Sequence, residues 1–290
     1  MNKRKILITG KGSYIGTSFI KWLQQWPEQY EVEEISVRGD EWKKYDFSVY
    51  DVVLHVAGIA HVSADPKMEQ EYYNVNRDLA IEVAKKANIE SVGQLIFMSS
   101  IIVYGDSGCE VITRNTIPKP ANFYGNSKLQ AEKGIGILEN ENFKIAIIRP
   151  PMIYGKGSKG NYLRLAKLAR ILPVFPNFQN KRSMLYIDNL CEFLRLMIEN
   201  KESGLFFPQN REYINTSNMV QSIAKANGRR IILVGILNPV IGILRKRIKL
   251  INKVFGDFVY EQTISNYKYN YRIKEFKESI NETEVERKVI

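Results

Sequence analysis

Tyr124 and Lys128 stand four residues apart in "NFYGNSKLQAEKG", and that spacing on a helix puts both side chains on one face. Pairs of this kind are common on helix surfaces, so alone it reads as two solvated residues. Ser99 and Ser100 change the balance. They end the apolar run "QLIFMSS", and the carboxyl ends of buried parallel strands open onto the ligand crevice of an α/β sheet. A phenol of ordinary pKa, about 10, is a poor base at neutral pH, but a neighbouring ammonium favours its phenolate. Lys128 offers the ammonium, Tyr124 the acid/base, and Ser100 a hydroxyl to hold the carbonyl or alkoxide oxygen while hydride moves at carbon. That is alcohol–ketone chemistry.

Such chemistry needs a hydride carrier, and "KILITGKGSYIG" offers a cradle for one: an apolar run followed by Gly10, Gly12 and Gly16. A glycine turn between strand and helix lets the backbone approach a pyrophosphate, whose charge meets free N–H groups at the helix start. Glycines also make ordinary tight turns. Their place here, after a first strand and before an amphipathic helix, favours the nucleotide reading.

The elements that must position these groups follow from periodicity. Apolar runs at 5–9, 33–37, 51–57, 94–100 and 144–150 alternate with helical patterns, which predicts an α/β chain with a Rossmann-type doubly wound parallel sheet. The first helix carries Ile15, Phe19, Trp22, Leu23 and Trp26 on one face and stops at Pro27; another is expected from Tyr73 to Ala87. After Arg149-Pro150-Pro151 the alternation fades. The expected division is a dinucleotide-binding domain over 1–155, rejoined by 184–200, and a smaller α/β substrate domain over 156–290. Asn238 reads as an N-cap, Pro239 as first-turn proline and Gly256 as a stop, so 239–255 is expected to be one helix with Ile241, Leu244, Ile248, Ile251 and Phe255 on its apolar face.

Composition sets outer bounds. With 290 residues, 44% hydrophobic, the chain can bury a core. Cys109 and Cys191 lie far apart without metal-ligand spacing, which argues against a disulfide framework or zinc site and for a cytoplasmic location. The first apolar run breaks at Thr9-Gly10, too early for a signal peptide, and "IILVGILNPVIGIL" falls short of the roughly 20 residues of a membrane span. His55 and His61 read as loop histidines with ordinary partners, so no metal is expected. The net charge of +11 is concentrated: 213–256 contains no Asp or Glu. That segment reads either as a substrate-domain helix with a solvated face or as a surface resting on anionic lipid at the inner face of the membrane. Nucleic acid is not expected as a partner, because few aromatics interleave the cations.

With these residues in view, the sequence resembles the extended short-chain dehydrogenase/reductases, in particular the NAD-dependent epimerase/dehydratase family acting on nucleotide sugars. The family's T-G-x-x-G-x-x-G turn corresponds to Thr9 through Gly16, its H-x-A-A segment to His55-Val56-Ala57-Gly58, its S-S-x-x-V-Y-G to Ser99 through Gly105, and its Y-x-x-x-K to Tyr124 through Lys128. The resemblance implies catalysis by Ser100, Tyr124 and Lys128. It implies a cofactor held by Gly10, Gly12, Ser13, Tyr14, Ile15, Gly16, Ala57 and Gly58, with Tyr124 and Lys128 beside it. In the later half "IIRPPMIYGKG" and "KRSMLYIDNL" resemble substrate segments, which implies that Asn161 and Arg182 hold the diphosphate of a UDP-sugar, and "RIKEFKESINETE" resembles the last helix.

Three departures from the family pattern carry information. Ser13 replaces the middle glycine, with Gly12 one position early, and brings a hydroxyl that can reach a phosphate. Between "EEISVRG" and "DVVLHVAG" there is too little chain for the usual third strand and its crossover helix. No acidic residue is expected at the end of the second strand, where Arg38 stands instead; an arginine there can neutralise a 2′-phosphate. NADP(H) is therefore favoured, with NAD(H) as the alternative. The expected function is reduction of a UDP-(N-acetyl)-4-keto-6-deoxyhexose in surface polysaccharide biosynthesis. A UDP-glucose or UDP-N-acetylglucosamine 4-epimerase with tightly held NAD is the alternative. A non-catalytic NAD(P) sensor is more distant, since it has no need of Ser100, Tyr124 and Lys128 together. Dehydration is disfavoured because no Asp-Glu pair follows Ser100. Many relatives pair through a four-helix interface, so a homodimer is an open expectation.

Overall fold

Short runs rich in Ile, Val and Leu that are buried on both faces become parallel strands, and the amphipathic segments between them become the covering helices. The computed structural model describes residues 3–60, 65–105 and 111–285; His61 and Cys109 lie outside them. The first half runs β1 (Arg4–Thr9), α1 (Tyr14–Leu23), β2 (Tyr30–Ile35), β3 (Val52–His55), α2 (Glu69–Tyr73), α3 (Leu79–Ile89), β4 (Gln94–Met98), β5 (Val111–Ile112), α4 (Phe123–Gly136) and β6 (Lys144–Ile148). There follow β7 (Met152–Tyr154), α5 (Asn161–Ile171), β8 (Val174–Pro176), β9 (Met184–Tyr186), α6 (Ile187–Glu199) and β10 (Gly204–Phe206). The chain closes with α7 (Thr216–Ala226), β11 (Ile232–Val234), α8 (Asn238–Leu244), α9 (Lys249–Phe255), β12 (Val259–Tyr260) and α10 (Phe276–Val285).

Six strands form the main sheet in the order β10-β6-β4-β3-β1-β2, every pair parallel. The expected doubly wound sheet is present. After β2 the chain crosses to the other side of β1, so the crevice of an open α/β sheet falls at the carboxyl ends of β1 and β3. Between β2 and β3 the chain makes only a 3-10 turn, Glu41–Lys44, in place of a strand and helix, as the short spacing predicted. Trp42 and Phe47 cover that side of the sheet with Val83, Ala87, Ala131 and Ile135 from α3 and α4. On the other face Phe19 and Leu23 of α1 pack with Leu190 and Leu194 of α6. Smaller parallel pairs, β7 with β9, β8 with β11 and β5 with β12, build the second half.

Several boundaries differ from the sequence expectation. Strand β2 ends at Ile35, two residues early, so Arg38 lies three residues past the strand, in a bend. The helix expected over Tyr73–Ala87 begins at Glu69 and is interrupted by a π turn, Asn74–Asp78, before continuing as α3 to Ile89. The single helix expected over 239–255 is two helices. Ile248 takes an extended conformation (φ −111°, ψ 109°) directly after the three consecutive cations Arg245, Lys246 and Arg247, and α9 restarts so that Phe255 packs against Phe175 and Phe178 at 5.8 and 5.6 Å. The cap of α8 is Leu237, and Asn238 instead donates to the Asn177 carbonyl at 2.9 Å. Among the described residues no helix is long and apolar enough to cross a membrane.

Candidate active site

Helix α4 starts at Asn122, whose Oδ1 accepts from the Gly125 N–H at 2.9 Å, and this cap fixes where the next turns point. Tyr124 and Lys128, one turn apart, both face inward and are buried. Ser100, at the start of the 3-10 turn after β4, places its hydroxyl beside the Tyr124 phenol and accepts from the Ile102 N–H at 3.3 Å. The structure therefore brings Ser100, Tyr124 and Lys128 together at the carboxyl end of β4. Burial pushes the Tyr124 phenol up to about 12, partly opposed by the neighbouring Ser100 hydroxyl. Burial brings the Lys128 ammonium down to about 8, opposed by the Glu132 carboxylate one turn on.

Lys128 is held from three sides. Its Nζ donates to the Met98 carbonyl at 2.9 Å and lies 4.8 Å above the Phe97 ring, and a Cβ on Gly58 would stand 3.1 Å from it. Gly58 follows β3 with its backbone exposed at the crevice, so the end of β3 and the ammonium share one wall. Below them Glu132 accepts from the Arg149 guanidinium at 2.9 Å and from the Ser99 hydroxyl, while Arg149 donates to the Tyr104 hydroxyl at 2.7 Å. This buried ion pair braces the helix on which the site is built.

The glycine turn occupies the carboxyl end of β1. Gly10 has φ +132°, and a Cβ there would stand 2.8 Å from the Ala57 nitrogen, so only glycine lets β1 and β3 close on each other at this point. Ser13 is the N-cap of α1: its Oγ accepts from the Gly16 N–H at 3.1 Å and keeps its proton available. Tyr14 opens α1 beside the "YGKG" turn, its hydroxyl 2.9 Å from where a Gly155 Cβ would be; Ile15 packs toward the core. A helix start with no acidic residue in its first turn and a turn with no room for a side chain at Gly10 or Gly16 fit a dinucleotide pyrophosphate.

Glu34 corrects the reading of this edge. Its Oε2 accepts from the Gly12 N–H at 3.1 Å, so an acidic side chain from the last turn of β2 does reach the glycine turn. The sequence reading places Arg38 at the end of the second strand; the strand ends at Ile35, so Glu34 stands at its end instead. Arg38 is exposed, with its N–H on the Ser36 hydroxyl at 3.3 Å.

His55 is a strand residue rather than a loop one, and it is buried. Nδ1 bonds the Thr9 hydroxyl at 2.8 Å, while Nε2 has no partner, and burial with the nearby Lys128 charge holds the imidazole down at about 3. Asn76 was not anticipated at all. It lies in the π turn, fully buried, where Oδ1 accepts from the Ile59 N–H at 2.8 Å and Nδ2 donates to the Ile59 carbonyl at 3.2 Å and the Ser127 hydroxyl at 3.3 Å. It thereby ties the chain after Gly58 to the helix carrying Tyr124 and Lys128. The sequence signal was a polar residue at a helical-period position on the buried face between Tyr72 and Ala80.

The implied substrate residues sit in the second half. Asn161 is exposed at the first turn of α5, which follows Gly160 and has no side-chain cap. Arg182 joins two segments: its backbone bridges Ile214 and Phe258, and Nη1 donates to the Gly256 carbonyl at 3.0 Å. Among the described residues no cluster of His, Cys, Asp and Glu side chains could hold a metal ion.

Comparison with known proteins gives a family match and neighbours of the same fold. Residues 6–207 match the sequence model of a family described as the NAD dependent epimerase/dehydratase family. The UDP-glucose 4-epimerase of Vibrio cholerae is 31% identical over 251 residues, covering 77% of this chain and 76% of that protein. Two solved structures share the fold at 17% identity: UDP-glucuronic acid 4-epimerase from Bacillus cereus in complex with NAD (TM-score 0.76, 98% of this chain and 99% of that one) and dTDP-4-dehydrorhamnose reductase from Bacillus anthracis in complex with NADP (TM-score 0.71, 98% and 100%).

Proposed function

The chain belongs to the NAD dependent epimerase/dehydratase family and is an NAD(P)-dependent enzyme of the nucleotide-sugar epimerase and reductase kind; from that premise we propose that it moves a hydride and a proton at C4 of a UDP-linked hexose, as a 4-ketoreductase of a UDP-4-keto-6-deoxyhexose or its N-acetylated form. The observation that carries the C4 chemistry is the buried Tyr124 phenol on Ser100 with Lys128 one helical turn away. At neutral pH a phenol raised to about 12 is protonated, which suits it to deliver a proton to the oxygen of a ketone undergoing reduction. Ser100 orients that oxygen, and the charged Lys128 stabilises the phenolate left behind. The nicotinamide supplies the hydride when bound. The glycine turn, Ser13 and the start of α1 hold its pyrophosphate; Arg182 and the start of α5 at Asn161 are assigned to the sugar diphosphate. The exposed Arg38 is free to meet a 2′-phosphate, which favours NADPH and hence a reductase that exchanges its cofactor each cycle.

A 4-epimerase with retained NAD is the second reading, and Glu34 is what favours it. A carboxylate already at the Gly12 N–H repels a 2′-phosphate and can accept from a ribose hydroxyl. Incubating the purified chain with a UDP-4-keto-6-deoxy-N-acetylhexose and NADPH, and separately with UDP-glucose and UDP-N-acetylglucosamine without added cofactor, tests the two. Reduced sugar in the first reaction alone supports the reductase. Epimer interconversion in the second supports the epimerase, and inertness in both overturns C4 chemistry on UDP-hexoses. In either case the product would feed a glycosyl-transfer step of polysaccharide assembly.

A further inference from the structure

Two acid-free stretches of the chain, 142–187 and 213–256, are brought side by side by the β8–β11 pair. In that pair Val174 stands opposite Ile232 on the outward side, and both are exposed, while Phe175 opposite Leu233 turns toward the core. From Ile232, 57% exposed, the outward row runs on through Ile236, Val240 and Ile243, spaced four and three residues apart into α8. Ile236 is 84% exposed and Ile243 60%, whereas Ile241 on the opposite side of α8 is buried. The Asn238 to Asn177 hydrogen bond ties α8 to the end of β8, so the strand pair and the helix form one continuous surface.

Cations frame this aliphatic row. Arg229 and Arg230 precede β11, Lys246 and Arg247 follow α8, and all four are exposed. Neither stretch holds a carboxylate to neutralise them. Arg245 is different: it folds inward over the Phe178 ring at 5.3 Å, toward Asp257 at 3.9 Å.

The geometry points to this face as a seat on the surface of an anionic lipid bilayer, with the aliphatic row at the boundary between headgroups and acyl chains and the four cations against lipid phosphates. Bulky exposed aliphatics at this density are uncommon on a surface meant only for water. A second copy of the chain would set these cations against its own, which is repulsive. A single-stranded nucleic acid would call for exposed aromatics on which bases stack, and the row here is aliphatic. The inference stands apart from the reaction proposed above and does not depend on which sugar is reduced.

Flotation of the full chain with vesicles of phosphatidylcholine alone, or of phosphatidylcholine mixed with phosphatidylglycerol, tests it. At low salt the bound-to-free ratio should be at least about tenfold higher on the anionic vesicles and should vanish at about 1 M salt. Lys246→Gln with Arg247→Gln should lower it about thirtyfold. Ile243→Ser should lower it about tenfold, and Ile236→Ser, in the loop before α8, provides the same test without touching the helix. Equal flotation with both vesicle types, or none with either at low salt, overturns the inference. So does a dimer in solution that Ile243→Ser dissociates, which would assign the face to a second copy.

Discussion

The Lys128 ammonium donates to the Met98 carbonyl oxygen at 2.9 Å, which locks a residue of helix α4 to the last residue of strand β4. The same burial that fixes it brings its pKa down to about 8. Below that pH Lys128 is charged and, in the role proposed for it, supports the phenolate of Tyr124; above it that support is lost. The kcat/KM of the reductive reaction should therefore fall as pH rises through about 8. In Lys128→Arg, whose guanidinium does not titrate in this range, the falling limb should move above pH 9 or disappear, whatever the absolute rate. A limb that stays in place in the variant would show that another group controls it.

Tyr124→Phe removes the proton donor and leaves the ring against Tyr72, whose centroid is 5.9 Å away. Turnover should drop by about two to four orders of magnitude. Binding of reduced cofactor, followed by fluorescence, should change little. Near-normal turnover would remove Tyr124 from its assigned role.

These two residues and Ser100 were legible because their constraint is local: an i, i+4 pair and the last residues of a strand are visible in a string of letters. The glycine turn was legible for the same reason. Asn76 and Glu34 were not, and the causes differ. Asn76 stands at helical spacing between the buried Tyr72 and Ala80, but its partners Ile59 and Ser127 come from distant segments that only the fold brings to the π turn. Glu34 is hidden in the sequence because the apolar residues Ile35 and Val37 suggest a strand reaching Val37, whereas pairing with β1 ends at Ile35. The break at Ile248 leaves no mark in the apolar spacing, which stays in helical phase on both sides; what sets it is the extended Ile248 and the packing of Phe255 on Phe175 and Phe178.

His55 is neutral in the folded chain down to about pH 3, while in the unfolded chain it titrates at its ordinary value of about 6.5. Between those values the unfolded state binds more protons, so stability falls as pH falls through this window. From pH 7 to pH 5 this one group should cost about 2 kcal/mol. His55→Asn keeps a group able to meet the Thr9 hydroxyl but does not titrate, and the pH 7 to pH 5 loss measured by urea unfolding should shrink by that amount. An unchanged loss would mean that other groups set the acid limb.

Glu132 and Arg149 form a pair with side-chain exposures of 5% and 7%, beneath the site. Glu132→Gln leaves the Arg149 charge buried without its counterion, and the unfolding free energy should drop by about 3–5 kcal/mol. It also removes the carboxylate that holds the Lys128 pKa up, so the limb near pH 8 should move to lower pH in whatever fraction stays folded. Loss of stability with no movement of the limb would separate the brace from the catalytic lysine.

The proposed choice of cofactor turns on Glu34 and Arg38, residues of opposite charge at and just beyond the end of β2. Glu34 is fixed at the Gly12 N–H, and Arg38 is exposed on the bend beyond β2. If Arg38 swings onto a 2′-phosphate, Arg38→Ala should lower kcat/KM with NADPH at least tenfold, about 1.4 kcal/mol, and leave NADH almost unaffected. Glu34→Gln should then improve NADPH further, because it removes the opposing carboxylate without emptying the space beside Gly12. If instead Glu34 grips the ribose of NAD, Glu34→Gln should weaken NADH by a similar factor while Arg38→Ala changes neither cofactor. The two variants thus move opposite members of the cofactor pair in the two cases. A chain that copurifies with NAD and loses it on Glu34→Gln would carry the epimerase reading over the reductase one.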